Sequence, residues 1–167
     1  KVENFRLPFD EQTKNALKQV AVKWKQMKAE VSTSLKHISI DTLLSPGETV
    51  TLINLQQGGR IVGIELSPSE AFAGLNKQID LLATWDDEPL PAINAPVADF
   101  FGYAFGEPSM HSLLLGSSDG INYCYFPMPF DRRAEIALRY RTPNVSAKSV
   151  RVKAEIYVSV EKRKPSA

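Results

Sequence analysis

Val150-Arg-Val-Lys-Ala-Glu-Ile-Tyr-Val-Ser-Val160 alternates apolar and polar residues from end to end. Successive side chains of a strand point to opposite faces. Val150, Val152, Ala154, Ile156, Val158 and Val160 therefore share one face, and Arg151, Lys153, Glu155, Tyr157 and Ser159 the other. This is the pattern of a half-buried antiparallel strand. The same period recurs upstream. Ala134, Ile136, Leu138 and Tyr140 oppose Arg133, Glu135, Arg139 and Arg141, and Ile79, Leu81, Ala83 and Trp85 alternate with mostly polar neighbours. Glu48–Leu55 and Ile61–Leu66 are shorter β-rich runs, set off by the turn signals Ser45-Pro46-Gly47 and Gln56-Gln57-Gly58-Gly59. About eight short strands, long loops and no strand–helix alternation predict a mostly β fold, an antiparallel jelly-roll sandwich.

Asn122–Phe130, NYCYFPMPF, has strand-forming residues but two prolines, which a central strand does not accept. Alternation places Cys124, Phe126, Met128 and Phe130 on a core face, with Tyr123, Tyr125, Pro127 and Pro129 on an outer one. The two missing N–H donors point the same way. The run is expected to pair on one side only, as an edge strand or rim segment. Its outer face is a candidate contact for a partner or a sugar.

Residues 1–35 read differently. Asp10 is a candidate N-cap, and Leu17, Val20, Trp24, Met27 and Val31 recur at helical spacing. This predicts an amphipathic helix over roughly 10–31, with Lys14, Lys18, Lys25 and Lys28 on its wet side. Its apolar face either packs on its own domain or docks on a neighbouring domain or subunit. The organisation expected is a helical arm (1–35), a jelly-roll domain (36–160) and a short charged tail (161–167).

A chain of 167 residues with 43% hydrophobic and 23% charged residues can bury a core. A net charge of +1 supplies no field for nucleic acid or an anionic membrane, and no apolar run is long enough to span a bilayer. The single cysteine, Cys124, excludes an intrachain disulfide and a multi-cysteine zinc site. The chain starts at Lys1 and its first methionine is Met27, which suggests a processed or excised chain. A periplasmic or secreted bacterial protein is the expected setting.

Gly116-Ser-Ser-Asp-Gly120 formally fits the hydrolase elbow G-x-S-x-G, but a strand and not a helix is expected to follow it. It reads better as a hairpin turn. His37 and His111 are too few for a His-rich metal site, and no metal or cofactor is expected. Calcium on Asp86, Asp87 and Glu88 is conceivable, although a solvated acidic loop is the commoner meaning of such a run. The densest chemistry lies in Trp85–Phe105, WDDEPLPAINAPVADFFGYAF, with four carboxylates, three prolines and five aromatic residues. Carboxylates accept hydroxyl hydrogens and rings stack on apolar sugar faces. Trp85, Asp86, Asp87, Glu88, Asp99 and Tyr103 are thus candidate sugar-binding residues, with Tyr123, Tyr125, Pro127 and Pro129 candidates for an interface. The simpler alternative is that Asp99 caps a turn while Phe100 and Phe101 anchor the loop in the core.

Taken in order, Trp85-Asp-Asp-Glu88, Ala95-Pro-Val-Ala-Asp-Phe-Phe-Gly102 and Asn122–Phe130 resemble glycoside hydrolase family 172, a bacterial domain of unknown function numbered 2961. The recurring family pattern reads roughly W-D-G-E, P-x-V-x-x-P-x-G-D-F-F-G and N-C-Y-F-P-M-P-F. The resemblance spans about residues 36–160. It implies double jelly rolls that assemble as trimers or larger rings and cleave fructofuranosides and arabinofuranosides by a retaining two-carboxylate mechanism. Its departures matter. The family's catalytic glutamates lie in the second jelly roll; here Ala98 stands where one would be, and the other would fall near Gln78. Asp87 replaces the turn glycine of W-D-G-E. The chain therefore resembles the first, non-catalytic jelly roll, and its catalytic residues are unknown. The expected function is a jelly-roll module of a carbohydrate-active protein, or else a stand-alone carbohydrate-binding or assembly protein. Expected partners are a furanoside-type glycan and further copies, or a second jelly roll, but neither nucleic acid nor membrane.

Overall fold

The computed structural model describes residues 8–26, 35–141 and 147–160. In chain order the elements are α1 (Glu11–Gln26), β1 (Lys36–Leu44), β2 (Thr49–Leu55), β3 (Gly59–Ser67), β4 (Ile79–Trp85), β5 (Ile93–Pro96), α2 (Val97–Phe100), β6 (Tyr103–Ala104), β7 (Glu107–Pro108), β8 (Leu115–Ser118), β9 (Ile121–Cys124), β10 (Met128–Phe130), β11 (Ala134–Tyr140) and β12 (Val150–Ser159). A 3-10 turn spans Ser69–Phe72.

One sheet runs β1-β12-β3-β9-β8, with β10 also on β3; the other runs β2-β11-β4-β5; β6 and β7 pair as a small ribbon. All pairings between strands are antiparallel. Numbering β1, β2, β3, β4, β5, β9, β11 and β12 from one to eight gives sheets of order 1-8-3-6 and 2-7-4-5. That interleaving of chain ends and middles is the jelly-roll order, two Greek keys folded onto each other. The expected fold is therefore the observed one.

The core lies between the sheets. Val152, Ala154, Ile156 and Val158 of β12 are buried with Leu81, Ala83, Ile136 and Leu138 of the opposite sheet. Each large apolar side chain taken from water there contributes roughly 1.5–3 kcal/mol. Val160 departs from the alternation; it follows the end of β12 and is 48% exposed. On β3, Tyr157 pairs with Gly63 and Val158 with Ile61, so Val62 bulges out of register. The bulge lets Ile61 and Ile64, three apart, both point inward with no exposure.

NYCYFPMPF is not one strand. β9 pairs with β3 at Ile64–Leu66 and β10 with β3 at Gly59–Ile61, leaving Tyr125-Phe126-Pro127 as a bend between them. β9 is flanked on its other side by β8, whereas β10, which carries Pro129, pairs only with β3 among the described residues. The one-sided pairing thus holds for β10 alone. Cys124 and Phe130 are core residues and Met128 packs against the core, but Phe126 lies in the bend and is 49% exposed. Tyr123 is the second correction: it lies on the outer side of the sheet but is 3% exposed. The 111–114 segment covers it, and its hydroxyl donates to the Ser112 carbonyl at 2.5 Å.

The hairpin between β8 and β9 turns at Asp119 (φ 52°) and Gly120 (φ 74°). Two successive positive φ values make a tight primed turn, so the G-x-S-x-G stretch lacks the helix a nucleophile elbow requires. In α1, Asp10 caps as expected, its carboxylate accepting from the Thr13 amide at 2.7 Å. Of the predicted apolar face, the two described side chains, Leu17 and Val20, are 48% and 52% exposed, and neither belongs to the core. The side chain of Trp24, residues 27–31 of the expected helix and the tail 161–167 lie outside the described residues.

Candidate functional site

The acidic turn after β4 is built around Asp86. Its φ is 53°, so the left-handed position falls on Asp86 and the absence of glycine at Asp87 costs the turn nothing. Its carboxylate accepts from the backbone amides of Arg132 (2.6 Å), Asp131 (3.0 Å) and Arg133 (3.1 Å). The Arg132 amide, with those of Arg133 and Asp131 beside it, holds the carboxyl below the usual carboxylate range despite an opposing desolvation cost. Asp86 thus clamps the connection between β10 and β11. Asp87 forms an exposed ion pair with Arg132, Glu88 closes the turn through its amide to the Trp85 carbonyl, and Trp85 stacks on Phe130 at 6.3 Å.

Asp99 lies elsewhere. It sits in α2 just beyond Pro96, which pairs with Asp80 at the start of β4, whereas Asp86–Glu88 follow the end of that strand. Seven residues at about 3.3 Å each put the two groups roughly 20 Å apart. Asp99 is ion-paired with Lys77, and the neighbouring Phe100 and Phe101 rings meet edge to face at 4.9 Å, with Phe101 fully buried. Tyr103 is internal; its hydroxyl lies 2.9 Å from both the Ser69 carbonyl and Asn122 Oδ1. The six candidates therefore do not converge. Beside Lys77 opens a cavity of about 130 Å³, whose lining includes Phe72, Asn76, Gln78, Ala98 and Tyr140.

A second convergence, across four strands of the larger sheet, joins the interface candidates Tyr123 and Tyr125 to residues that the sequence did not assign to any site. One row runs Ser39, Glu155, Glu65 and Tyr123; the next runs His37, Tyr157 and Gly63, with Tyr125 beyond. His37 stacks on Tyr157 at 4.8 Å and 8°, and Tyr123 on Tyr125 at 5.3 Å and 23°. The Tyr125 hydroxyl donates to Glu65 Oε1 at 2.6 Å. Glu155 receives Ser39 at 2.9 Å and Lys153 at 2.6 Å, and His37 Nε2 lies 2.5 Å away. Burial pushes the Glu155 carboxyl up, but the hydrogen bonds from Lys153, Ser39 and His37 prevail and hold it below the usual range. Burial, then the charges of Glu65 and Glu155, push the Tyr157 hydroxyl up. Alternation alone marked Lys153, Glu155 and Tyr157 as outward. Their neighbours come from strands remote in sequence.

Among the described residues no group of three or more His, Cys, Asp or Glu side chains is placed to hold a metal ion. Cys124 is buried, and burial pushes its thiol up, so it acts as a small core residue.

The fold is a two-sheet antiparallel jelly roll that carries an array of rings and carboxylates on the outer face of its larger sheet. Residues 34–152 match the family described as GH172 domain-like, and the chain belongs to that family. No curated protein matches it. Among solved structures it is similar to the acidic stable capsid structure of Helicobacter pylori bacteriophage KHP30, with 9% identity and a TM-score of 0.43, over 77% of this chain and 90% of that one.

Proposed function

We propose that the chain is a non-catalytic jelly-roll module of a furanoside-active bacterial protein, exported to the periplasm or beyond, which builds the assembly and forms one wall of a sugar site. The observation that carries this reading is the fate of the acids. Retaining glycosidases hold two carboxyl groups about 5–5.5 Å apart and inverting ones roughly 6.5–9.5 Å. Asp99 and the Asp86–Glu88 turn lie at opposite ends of β4, and Asp86 is consumed by backbone amides. Gln78 and Ala98, the two positions where the family resemblance would put catalytic glutamates, line one cavity without an acid from either. The half-exposed apolar side chains of α1 favour assembly with further copies or a second jelly roll.

The purified chain is expected to release no nitrophenol from aryl arabinofuranosides or fructofuranosides. Light scattering should report a mass that is a multiple of the monomer, lowered by Leu17→Glu with Val20→Glu. Turnover that survives Asp99→Asn and Glu88→Gln would refute the non-catalytic reading, and a monomer at all concentrations would refute the assembly role.

A further inference from the structure

We infer that α1 of one copy docks on a neighbouring copy, laying Leu17 and Val20 on an apolar patch made by Met110, Leu113, Leu114 and Phe126. The inference rests on the assembly reading and adds to it the surface that receives the arm. Residues 110–114 lie along β8. His111 bridges Gly116, the Ser117 amide donates to the Met110 carbonyl at 2.9 Å, and the Ser112 amide donates to the Leu115 carbonyl at 3.1 Å. The Tyr125 amide donates to the Leu114 carbonyl at 2.7 Å, which brings the bend holding Phe126 against the same segment. Met110, Leu113, Leu114 and Phe126 each leave 40–49% of their surface exposed. Single exposed apolar side chains are ordinary, whereas neighbouring ones mark contact surfaces. The patch is also held in shape: the Ser112 hydroxyl donates to the Leu115 carbonyl at 2.7 Å, and the Tyr123 hydroxyl fixes the Ser112 carbonyl. A preformed surface loses little freedom when it binds.

Charge selects the occupant. Residues 78–131 contain eight acids and no lysine or arginine. Among them Glu107 precedes the patch segment and Asp119 follows it, and both are exposed. Arg60, across from Pro129 on β3, bounds this acidic flank. α1 has the opposite sign: Glu11 is its one acid, against Lys14, Lys18, Lys23 and Lys25. Lys14 stands one turn before Leu17 and Lys18 directly follows it, so both flank the apolar face. A basic amphipathic helix laid on an acidic apolar surface satisfies both halves of the contact. Within one chain neither surface is covered, because both sets of side chains are exposed. A second copy supplies the complement of each. Arm meets patch and not arm, so the contact is head to tail and closes as a ring or extends as a filament.

The test is complementation between full-length variants that keep the wild-type thermal midpoint, read as mass by light scattering. Leu17→Glu with Val20→Glu removes the arm, and Leu113→Glu with Leu114→Glu removes the patch; each variant alone is expected to be a monomer. Mixed in equal amounts, the two should form a heterodimer, since one retains an intact patch and the other an intact arm. Lys14→Glu with Lys18→Glu should weaken wild-type assembly about tenfold. In the wild type, dilution through dissociation should move the amide resonances of Leu113, Leu114 and Phe126 together with those of Leu17 and Val20, a readout that needs no variant to fold. A patch variant that keeps the wild-type mass, a mixture that stays monomeric, or arm amides that move without the patch amides overturns the receiving surface and leaves the assembly reading standing. A wild-type chain that is monomeric at all concentrations overturns both.

Discussion

Asp86→Ala should lower the thermal midpoint by roughly 4–8 °C, about 2 kcal/mol, whereas Glu88→Gln should leave it where it was. The reason is what each carboxylate touches. Asp86 accepts from three successive amides, those of Asp131, Arg132 and Arg133, and its own amide donates to the Arg133 carbonyl at 2.8 Å. A charge-assisted hydrogen bond is worth about 1.5–3 kcal/mol, and removing the acceptor leaves three donors to find water. The turn is partly solvated, so water replaces much of what is lost and the estimate stays near the value of one such bond. Alanine is also poorly suited to a φ of 53°, which aspartate and asparagine tolerate. Asp86→Asn should therefore recover part of the loss. The pH dependence has a definite sign. The folded carboxyl titrates below its ordinary value, so its contribution is complete above the unfolded pKa of about 4 and disappears as pH falls through the folded one. Midpoints measured from pH 7 to 2 should show wild type and Asp86→Asn converging at the acid end. A constant gap across that range would mean that the charge is not what the amides hold.

How much of this was legible in the sequence depends on how local the deciding interaction is. β12, β11 and β4 read correctly because each alternates against a single core face, and the strand itself contains the whole pattern. The Ser118-Asp119-Gly120 turn was legible for the same reason, since a primed turn is decided by its own two residues. NYCYFPMPF misled at Phe126 and Tyr123 because its conformation is set from outside. The bend follows from pairing two short strands to one side of β3, and Tyr123 is covered by the 111–114 segment. Helical periodicity in α1 stated that an apolar face exists but not what covers it. The clamp on Asp86 joins residues 45 to 47 positions apart, and Glu65 meets Glu155 only through the register of β3 on β12. Composition gathered Trp85 through Phe105 into one apparent site because those residues are adjacent in sequence. β4 and β5 then carried the two halves of the stretch to opposite ends of the sheet.

Phe101→Ala should be the most damaging single change in that stretch, at about 3–5 kcal/mol, with the neighbouring Asp99→Asn close to neutral. Phe101 has no exposed surface and is among the largest fully buried side chains, packed edge to face against Phe100. Its amide donates to the Val97 carbonyl at 3.1 Å, closing α2, and Gly102 follows at φ 75° with its amide on the Asp99 carbonyl. The short helix is too small to persist by propensity alone, so its geometry depends on the ring beneath it. Removing that ring opens a cavity next to Val97 and Ala98, which are also buried, and loosens the wall of the space beside Lys77. Asp99, by contrast, makes an ion pair with Lys77 that is exposed on both sides, the kind whose loss is usually below about 1 kcal/mol. Denaturant unfolding of the two variants separates these roles, because a buried anchor lowers the midpoint and a surface pair does not. If Asp99→Asn costs as much as Phe101→Ala, the carboxylate carries a structural load that its exposed geometry does not account for, and the stretch would have to be read around the acid and not around the ring.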